Sequence, residues 1–537
     1  MSAVSLALAG CSEDVMDRIN QDTSHTNSVD GKFILADLIT STAFSNVSGD
    51  FNTYSSSYVE YEVGIENQLY NAEIRLNEPS ASSTFENTWG NVYTSLKNAR
   101  VIIGQCQEGK RDEGNLVTRG IAEVMEAYNG ALLADIFGDT PYSEASLLDE
   151  NGSPVNMNPK IDKQEEIYVS IMASLDKAIE DLNQSDRSPV GTYDYLYNGD
   201  AEKWIKFAYG LKARYTMRLI NRSTDKQADL NKVLDYVSKS FTSADDEAAY
   251  AVYDTNNINP FFGYFDSRAG FANSQSLTDK LIERKDPRLE RVMLSPTTAD
   301  KKRVQVTGSA DKNLVPAPNG TPEQNMQKYG VSAFVYSNTA PTMLMSYHEL
   351  KFLQAEALCR LNRTSDAEKA LKEAVAAGIA NAERSVSSAI TYMGSKMVVN
   401  SEKMTEETAN TYFENQVKPL FAVNPLKETM IQKYLALWGA SGEATETFND
   451  IRRMKGLGEN FVTLANTKKF PLRMPYGNSD VVSNPEVKAA YGDGQYVYSE
   501  PVWWAGGTRS ANIYNIMYRV PLRLWRGIFF CYISYMF

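Results

Sequence analysis

The sequence predicts a mainly α-helical protein whose helices form pairs, and three observations support this fold class. Apolar residues recur at three- and four-residue steps along residues 120–137, which places them on one face of an α-helix. Alanines lie between these apolar residues, so a neighbouring helix can approach closely. Segments of the same kind follow one another in twos along the chain, as expected for helices that bury their apolar faces against each other.

The end of this helix is predicted by Gly138 and Pro141. Glycine readily adopts the left-handed conformation that stops a helix, and proline cannot continue one. We therefore expect a buried helix that ends sharply at Gly138.

Four helix pairs are predicted along the chain. They comprise residues 89–103 with 120–137, 162–182 with 200–217, 350–361 with 365–378, and 430–438 with 444–454. Capping-box spacing marks two helix starts, at Asp162 with Glu165 and at Ser365 with Glu368, and Gly378 marks an end. Paired helices stack in this way in tetratricopeptide arrays, but the pairs here have no fixed period, so a free-standing solenoid is not expected.

Three segments between the predicted helices are much longer than ordinary connections. Residues 223–342, 380–426 and 457–505 are rich in Asn, Gly, Ser, Pro and aromatic residues. Loops of this length are usually functional or disordered, and the aromatic content argues against disorder. We therefore expect these segments to be ordered and to carry function.

Composition excludes several classes of function. The formal net charge of -13 repels phosphate backbones and makes nucleic acid an unlikely partner. Four scattered cysteines and two histidines give no clustered metal ligands, so neither a metal site nor a cofactor is expected. The 31 tyrosines, 21 phenylalanines and 6 tryptophans provide flat amphipathic surfaces that suit recognition, although most belong to the core.

Motifs spread along nearly the whole chain resemble those of the SusD/RagB family, the nutrient-binding outer-membrane lipoproteins of Bacteroidetes. They lie at residues 89–99, 127–128, 137–142, 167–168, 175–179, 197–200, 204, 211–215, 286–289, 356–357, 432–434 and 448–453. The resemblance rests on their order and spacing. It implies tetratricopeptide-like helix pairs that form a scaffold, a loop-rich half that carries the ligand site, and a SusC-like TonB-dependent transporter as partner.

The first eleven residues resemble a truncated lipoprotein signal peptide whose lipobox ends at Cys11, the residue that would carry the lipid. Residues 12–30 are polar and are interpreted as a flexible tether, with Ser12, Glu13 and Asp14 similar to an export signal for the cell surface. A chance match and an ordinary solvated N-terminus are the alternatives. Residues 31–505 are interpreted as one SusD-like domain and residues 506–537 as an atypical apolar tail. The tail is attributed to a shifted reading frame or a misassigned end, and a hydrophobic strand tucked into the domain is the alternative.

The best candidate for the ligand site lies at residues 256–273, because sugar C–H faces stack on aromatic rings while polar side chains bind the hydroxyls. The candidate residues are Asn257, Phe261, Phe262, Tyr264, Phe265, Asp266, Arg268 and Asn273. The alternative for each ring is that it attaches the segment to the scaffold. A second set, Tyr54, Tyr58 and Tyr61, fits a core helix face equally well, and Tyr329, Phe334 and Tyr336 form a third set.

No catalytic residue is singled out by the sequence. A glycosidase needs two carboxylates across a cleft, and none of the 67 acidic residues is marked by its context. His348 is interpreted as a surface or capping residue, and Arg452 with Arg453 as either an anion clamp or a helix-end ion-pair cluster near Asp450.

The expected function is therefore non-enzymatic. A surface lipoprotein of the outer membrane would bind an oligosaccharide or another oligomeric nutrient and pass it to the transporter. A surface glycoside hydrolase and a tetratricopeptide-type scaffold that binds only protein are the two alternatives.

Overall fold

The computed structural model describes residues 29–508, and this part of the chain is mainly helical. Its helices are α1 Gly31–Ser41, α2 Asp50–Tyr58, α3 Asn67–Ile74, α4 Phe85–Gln105, α5 Leu116–Phe137, α6 Gln164–Leu182, α7 Ala201–Arg218, α8 Lys226–Ser238, α9 Pro260–Arg268, α10 Gln275–Glu283, α11 Arg288–Val292, α12 Tyr347–Arg360, α13 Thr364–Met393, α14 Glu406–Tyr412, α15 Lys418–Val423, α16 Pro425–Ala436, α17 Ala444–Gly456, α18 Asn478–Ser483 and α19 Pro485–Tyr491.

Short strands pair two by two within the described residues. They are β1 Glu62–Gly64, β2 Thr140–Pro141, β3 Ile161–Asp162, β4 Ala248–Tyr250, β5 Phe271–Asn273, β6 Met293–Leu294, β7 Arg303–Val304, β8 Val331–Ser332, β9 Thr342–Met345 and β10 Met397–Val398. The pairs β1–β5, β2–β3, β4–β9 and β6–β8 are antiparallel, and β7–β10 is parallel. These pairs fasten connecting segments to each other, whereas the helices form the bulk of the fold.

The first predicted pair is present, with α4 packed against α5. Helix α5 ends at Phe137, and Gly138 follows with a positive φ of 86°. The small residues of α5 do permit close approach, because a Cβ atom at Gly120 would lie only 2.9 Å from the carbonyl oxygen of Ala178 on α6. Helix α5 therefore packs between two helices and is almost entirely buried.

The third pair, α12 with α13, is also present, but its second helix does not end at Gly378. Helix α13 continues through this residue to Met393. A Cβ atom at Gly378 would lie 2.7 Å from the Cβ atom of Ala436 on α16, so glycine serves here to bring two helices together. The prediction of a helix end at Gly378 was wrong because a glycine needed for packing looks the same in sequence as one needed for a stop.

Both predicted capping boxes were wrong as well. Helix α6 begins at Gln164, and the Asp162 carboxylate instead accepts backbone N–H groups from Tyr142 (3.0 Å) and Ser143 (2.6 Å). Ser365 lies inside the first turn of α13, which begins one residue earlier. The Asp162 side chain is thus used in a tertiary contact that holds the chain after α5.

The second and fourth pairs are only partly as predicted. Helix α7 contacts α6, but it packs more extensively on α8, which lies inside the segment predicted to be a long loop. Helices α16 and α17 are joined by an ion pair from Lys433 Nζ to Asp450 Oδ2 (2.6 Å), while α16 packs on α12 and α13 and α17 packs on α2.

The three long segments contain more helix than the sequence indicated. They include α8 to α11, the C-terminal half of α13, and the short helices α14, α15, α18 and α19. The main apolar core extends from Leu35 to Ala505, and a second, smaller cluster comprises Val63, Ile65, Ala272, Ala317 and Tyr329. The single domain over residues 31–505 stays a prediction. Of the predicted N-terminal tether and C-terminal tail, all but residues 29–30 and 506–508 lie outside the described residues.

Candidate functional site

Helix α9 lies at the centre of the best ligand-site candidate, and its ends follow from the local sequence. The Asn259 side chain accepts the N–H groups of Phe261 (2.8 Å) and Phe262 (3.3 Å), and Pro260 occupies the first helical position. The helix ends at Arg268, and the next residue, Ala269, has a left-handed φ of 46°. A short, capped helix therefore stands where the sequence suggested a loop.

Four of the candidate residues face the interior. Phe261, Phe262, Phe265 and Asn273 are only 1%, 3%, 6% and 1% exposed, respectively. The Phe261 ring stacks on Phe271 with a centroid distance of 5.1 Å, and Phe265 meets Tyr336 edge to face at 5.3 Å. We assign these four side chains to the attachment of α9 to the scaffold, so contact with a ligand is left to their exposed neighbours.

One flank of α9 carries Tyr264 and Arg268, which lie on the same helix face at a four-residue spacing. The Arg268 guanidinium carbon is 5.0 Å from the centroid of the Tyr264 ring. Tyr54 on α2 lies beside them, and its hydroxyl donates to the exposed Gln68 side chain of α3 (3.2 Å). We call Tyr54, Gln68, Tyr264 and Arg268 the α9 surface.

The other flank of α9 presents Asp266, which is exposed. Next to it lies Tyr392 at the end of α13, a ring that is 45% exposed and meets Phe262 edge to face at 4.7 Å. Asn257 is exposed at the entry to the helix, where its N–H group bonds to Asp254 Oδ1 (2.7 Å). This flank supplies a second ring, a carboxylate and an amide.

The charges on the α9 surface are only partly compensated. Burial raises the pKa of the Tyr264 hydroxyl to about 12, although Arg268 opposes the rise, so this phenol remains a neutral donor and acceptor at pH 7. Arg268 forms no ion pair with any described residue, and its one hydrogen bond, to Ser267 Oγ, is 3.5 Å long. Asp50, a carboxylate close enough to raise the pKa of Tyr264, is engaged by Thr84 Oγ1 (2.7 Å) and Asn87 Nδ2 (2.8 Å). The guanidinium therefore keeps free N–H donors for a ligand.

The other two tyrosine and phenylalanine sets are mainly core. Tyr54, Tyr58 and Tyr61 are 5%, 1% and 1% exposed, so the core interpretation holds, but α2 ends at Tyr58 and Tyr61 therefore lies beyond the predicted helix face. Tyr329 and Phe334 are 3% and 0% exposed, and Tyr336 is partly buried. Of these residues, Tyr54 alone takes part in the α9 surface, through its hydroxyl group.

A groove of about 430 Å³ lies elsewhere, between the turn at Lys285 and helix α14. It is lined by Lys285, Pro287, Thr405, Glu407, Thr408, Thr411, Tyr412, Asn415 and Gln416. Its one ring, Tyr412, is 4% exposed and offers no open face. Ligand pockets usually combine apolar or aromatic area with a few polar groups, so the α9 surface is the better candidate.

His348 and Arg453, which the sequence analysis considered for catalysis or anion binding, both form ion pairs in the interior. The sequence predicted a surface or capping position for His348, but this residue is buried, at 1% exposed, and its Nε2 lies 3.1 Å from Glu443 Oε1. Arg453 pairs with Asp450 (2.9 Å) and Glu356 (2.5 Å), as an ion-pair cluster and not as an anion clamp. Within residues 29–508, no group of three or more His, Cys, Asp or Glu side chains could hold a metal ion.

Residues 22–477 match a SusD-like family model that is described as "Starch-binding associating with outer membrane". A SusD/RagB family protein from Bacteroides thetaiotaomicron is 65% identical, with a TM-score of 0.86 over 90% of this chain and 100% of that chain. The chain belongs to the SusD/RagB family. The predicted family and the mainly helical, tetratricopeptide-like fold are thereby confirmed.

More distant SusD-like structures share the fold. A chitin-binding protein is 21% identical, with a TM-score of 0.68 over 88% of this chain and 99% of that chain. A SusD homologue from Bacteroides fragilis is 18% identical, with a TM-score of 0.67 over 90% of this chain and 100% of that chain. None of the curated proteins compared with the chain matches it.

Two predictions from the sequence concern this SusD-like protein and the membrane, and the described residues bear on one of them. In the described part of the chain, no helix has the length and apolar character needed to cross a bilayer. The lipobox residue Cys11 lies outside the described residues, so lipid attachment stays a prediction.

Proposed function

We propose that this SusD-like protein binds an oligosaccharide, or another oligomeric nutrient, at the cell surface and delivers it to a SusC-like TonB-dependent transporter. The observation that carries the proposal is the family match over residues 22–477, whose description names starch and the outer membrane. The α9 surface supports it, because it places the Tyr264 ring and the free Arg268 guanidinium of a capped helix beside the Gln68 amide of α3.

The partner and the anchor belong to the same proposal. We base the transporter and the lipid on Cys11 on the resemblance to surface lipoproteins of polysaccharide utilisation, and we propose that both hold the protein at the outer membrane. Replacing Cys11 by Ala behind a complete signal peptide should abolish lipid labelling and outer-membrane fractionation. A Cys11→Ala protein that still carried lipid would contradict the lipobox assignment.

We further propose that the protein is not an enzyme. Asp50, which lies close enough to Tyr264 to raise its pKa, is held by Thr84 and Asn87, and the buried glutamate Glu356 is held by arginines, which leaves Asp266 as the exposed carboxylate of α9. A hydrolase needs an acid and a second carboxylate that are both free to reach the scissile bond. Incubation with starch and chitin oligosaccharides followed by chromatography should show no products, and accumulating products would favour the glycoside hydrolase alternative.

Calorimetric titration with starch and chitin oligosaccharides tests the binding step. Starch is named in the family description, and chitin is chosen because a protein of the same fold is named for binding it. We expect saturable binding of one of them. Failure of every oligosaccharide, together with capture of a peptide ligand, would favour the protein-binding scaffold.

The location of the site is tested by Tyr264→Ala and Arg268→Ala. Loss of one ring contact costs about 1 kcal/mol of binding free energy, so Tyr264→Ala should raise the ligand dissociation constant roughly 5- to 10-fold. Tyr209→Ala is the matched control, because Tyr209 is also a half-buried ring under a cation, with Lys239 Nζ 5.5 Å from its centroid, but it lies on scaffold helix α7. Equal affinities for the Tyr264 and Tyr209 variants would place the site elsewhere.

A further inference from the structure

The strand that follows α9 is held by β1 in a register that brings two polar side chains together. Glu62 of β1 lies opposite Asn273 of β5. Ile65 donates its N–H to the Gly270 carbonyl (2.9 Å), which makes Ile65–Gly270 a hydrogen-bonded pair. By the antiparallel alternation, Glu62–Asn273 is a non-hydrogen-bonded pair, the kind in which opposite side chains lie closest, with Cα atoms about 4.5 Å apart.

Each of these two side chains has an oxygen without a hydrogen-bond donor. Glu62 Oε2 and Asn273 Oδ1 are both buried and unpartnered, and each residue is 1% exposed. The Asn273 amide is oriented by its Nδ2 group, which donates to the Leu294 carbonyl (3.5 Å), so its Oδ1 and Glu62 Oε2 are both acceptors and cannot satisfy each other. A carboxylic acid carries an O–H group and can donate, so one proton on Glu62 would satisfy both oxygens with a single hydrogen bond.

The surroundings of Glu62 provide hydrogen bonds to one oxygen but no compensating charge. Its Oε1 accepts from Ser332 Oγ of β8 (2.7 Å) and from Trp438 Nε1 (3.4 Å). No Lys, Arg or His of the described chain forms an ion pair with it. Burial raises the pKa of Glu62 to about 8, against an ordinary value of 4.5, while the two hydrogen bonds oppose the rise.

The titratable groups around Glu62 do not change this balance. Tyr434 on α16 faces it, and burial holds the pKa of that phenol well above 10, so it stays neutral. Lys280 on α10 lies over the Tyr434 ring at 5.7 Å, and its ammonium donates to Ser276 Oγ (2.7 Å). On α3, the Glu73 carboxylate accepts from Ser57 Oγ and from the Gly320 N–H instead.

We infer that Glu62 is a positioning residue: as a neutral carboxylic acid it donates a hydrogen bond to Asn273 Oδ1 and thereby fixes the strand that follows α9. This inference does not depend on the proposed function, since it concerns the support of the α9 surface and not its ligand.

Glu62→Gln tests the inference against a matched control two residues away. Glutamine keeps an acceptor for Ser332 and supplies an N–H for Asn273, so the urea midpoint at pH 7 should be unchanged or higher. Glu60 is equally buried, at 0% exposed, but its carboxylate accepts two backbone N–H groups, from Ala465 (2.8 Å) and Asn466 (2.7 Å). Glu60→Gln should therefore lower the midpoint, and an equal loss in Glu62→Gln would overturn the inference.

The pH dependence of the same midpoints has a defined sign. Because the folded-state pKa of Glu62 is raised, the folded state binds the extra proton between pH 4.5 and about 8, and wild-type stability falls as pH rises through this window. The advantage of Glu62→Gln over wild type should grow across the window and level off above it. A constant difference would mean that Glu62 does not titrate there.

Infrared spectroscopy gives a readout that needs neither ligand nor unfolding. Wild type should show a carboxylic-acid C=O band at neutral pH that is absent from Glu62→Gln and kept in Glu60→Gln. Asn273→Leu removes the acceptor, so the band should persist and move to the higher frequency of an acid without a hydrogen bond. If no band is lost in Glu62→Gln, or if none moves in Asn273→Leu, the inference is wrong.

Discussion

Tyr264 and Phe265 are adjacent in the sequence and have opposite environments. The Phe265 ring is 6% exposed against Tyr336, whereas Tyr264 is partly exposed under the Arg268 guanidinium. One step along an α-helix rotates the side chain by about 100°, so neighbouring aromatic residues point to different sides. Whether each ring is buried or exposed was therefore decided by its position on α9, and not by its being aromatic.

Asp246 illustrates a residue whose charge stabilises the fold. Its carboxylate accepts the N–H and hydroxyl groups of Thr242 (both 2.8 Å) and two bonds from Lys206 Nζ (both 2.9 Å). Burial pushes the pKa of Asp246 upward, but the hydrogen bonds from Thr242 and Lys206 outweigh it and lower the pKa to about 2. The carboxylate is therefore ionised in the folded protein well into the acid range.

We predict that Asp246→Asn costs about 1.5 to 3 kcal/mol of unfolding free energy at pH 7, the usual range for hydrogen bonds to a charged group. Because the folded pKa is depressed, this contribution is full above about pH 4 and is lost as pH falls towards 2. Urea unfolding at several pH values measures it. Asp245→Asn, one residue earlier and exposed, should leave the curve unchanged, and an equal effect there would contradict the assignment.

Helix α13 shows at the element scale how a single small residue fixes a helix crossing. Gly378 stands in the middle of this 30-residue helix, where a Cβ atom would lie 2.7 Å from Ala436 Cβ. Inside a helix, glycine is disfavoured by conformational entropy, by about 1 kcal/mol relative to alanine. Its presence is explained by the close contact between α13 and α16.

Gly378→Ala should therefore destabilise the protein by up to about 2 kcal/mol, because overpacking costs about 1 to 3 kcal/mol and the gain in helix propensity returns only about 1 kcal/mol. Gly90→Ala is the control, since Gly90 lies inside α4 with nothing within 4 Å of its Cβ position. That change should stabilise by about 0.5 to 1 kcal/mol. Thermal unfolding of both variants measures the two changes in stability. Stabilisation by both substitutions would show that the contact at Gly378 is not tight.

Capping signals are a second lesson at this scale. The Asp162–Glu165 spacing is a valid local pattern for a helix start, yet Asp162 holds Tyr142 and Ser143 instead. The carboxylate meets donors brought close by β2 and β3, and a local cap competes with this tertiary contact. Nothing within four residues of Asp162 reveals that competition.

At the scale of the whole molecule, charge constrains the ligand. The formal net charge of -13 opposes the approach of a polyanion, and Arg268 is the cation of the α9 surface. A neutral oligosaccharide releases no counterions on binding, so its affinity should depend little on salt. We predict a change in the dissociation constant of less than about twofold when sodium chloride rises from about 0.05 M to about 0.5 M.

Calorimetric titrations at the two salt concentrations, with the oligosaccharide that binds best, measure this dependence. Arg268→Gln serves as the internal comparison, because it removes the charge and retains an N–H donor. A steep loss of affinity with salt that disappears in Arg268→Gln would instead identify an anionic ligand.

The sequence by itself determined the helical class, the end of α5 at Gly138 and the family, because helix periodicity and motif order are written in residues close together along the chain. It also singled out residues 256–273, where α9 lies. Only the tertiary structure decided which of those residues are exposed, and that Tyr54, Gln68 and Tyr392 stand beside them. These partners are far apart in the chain and are brought together by the packing of α2, α3 and α13, which no local pattern encodes.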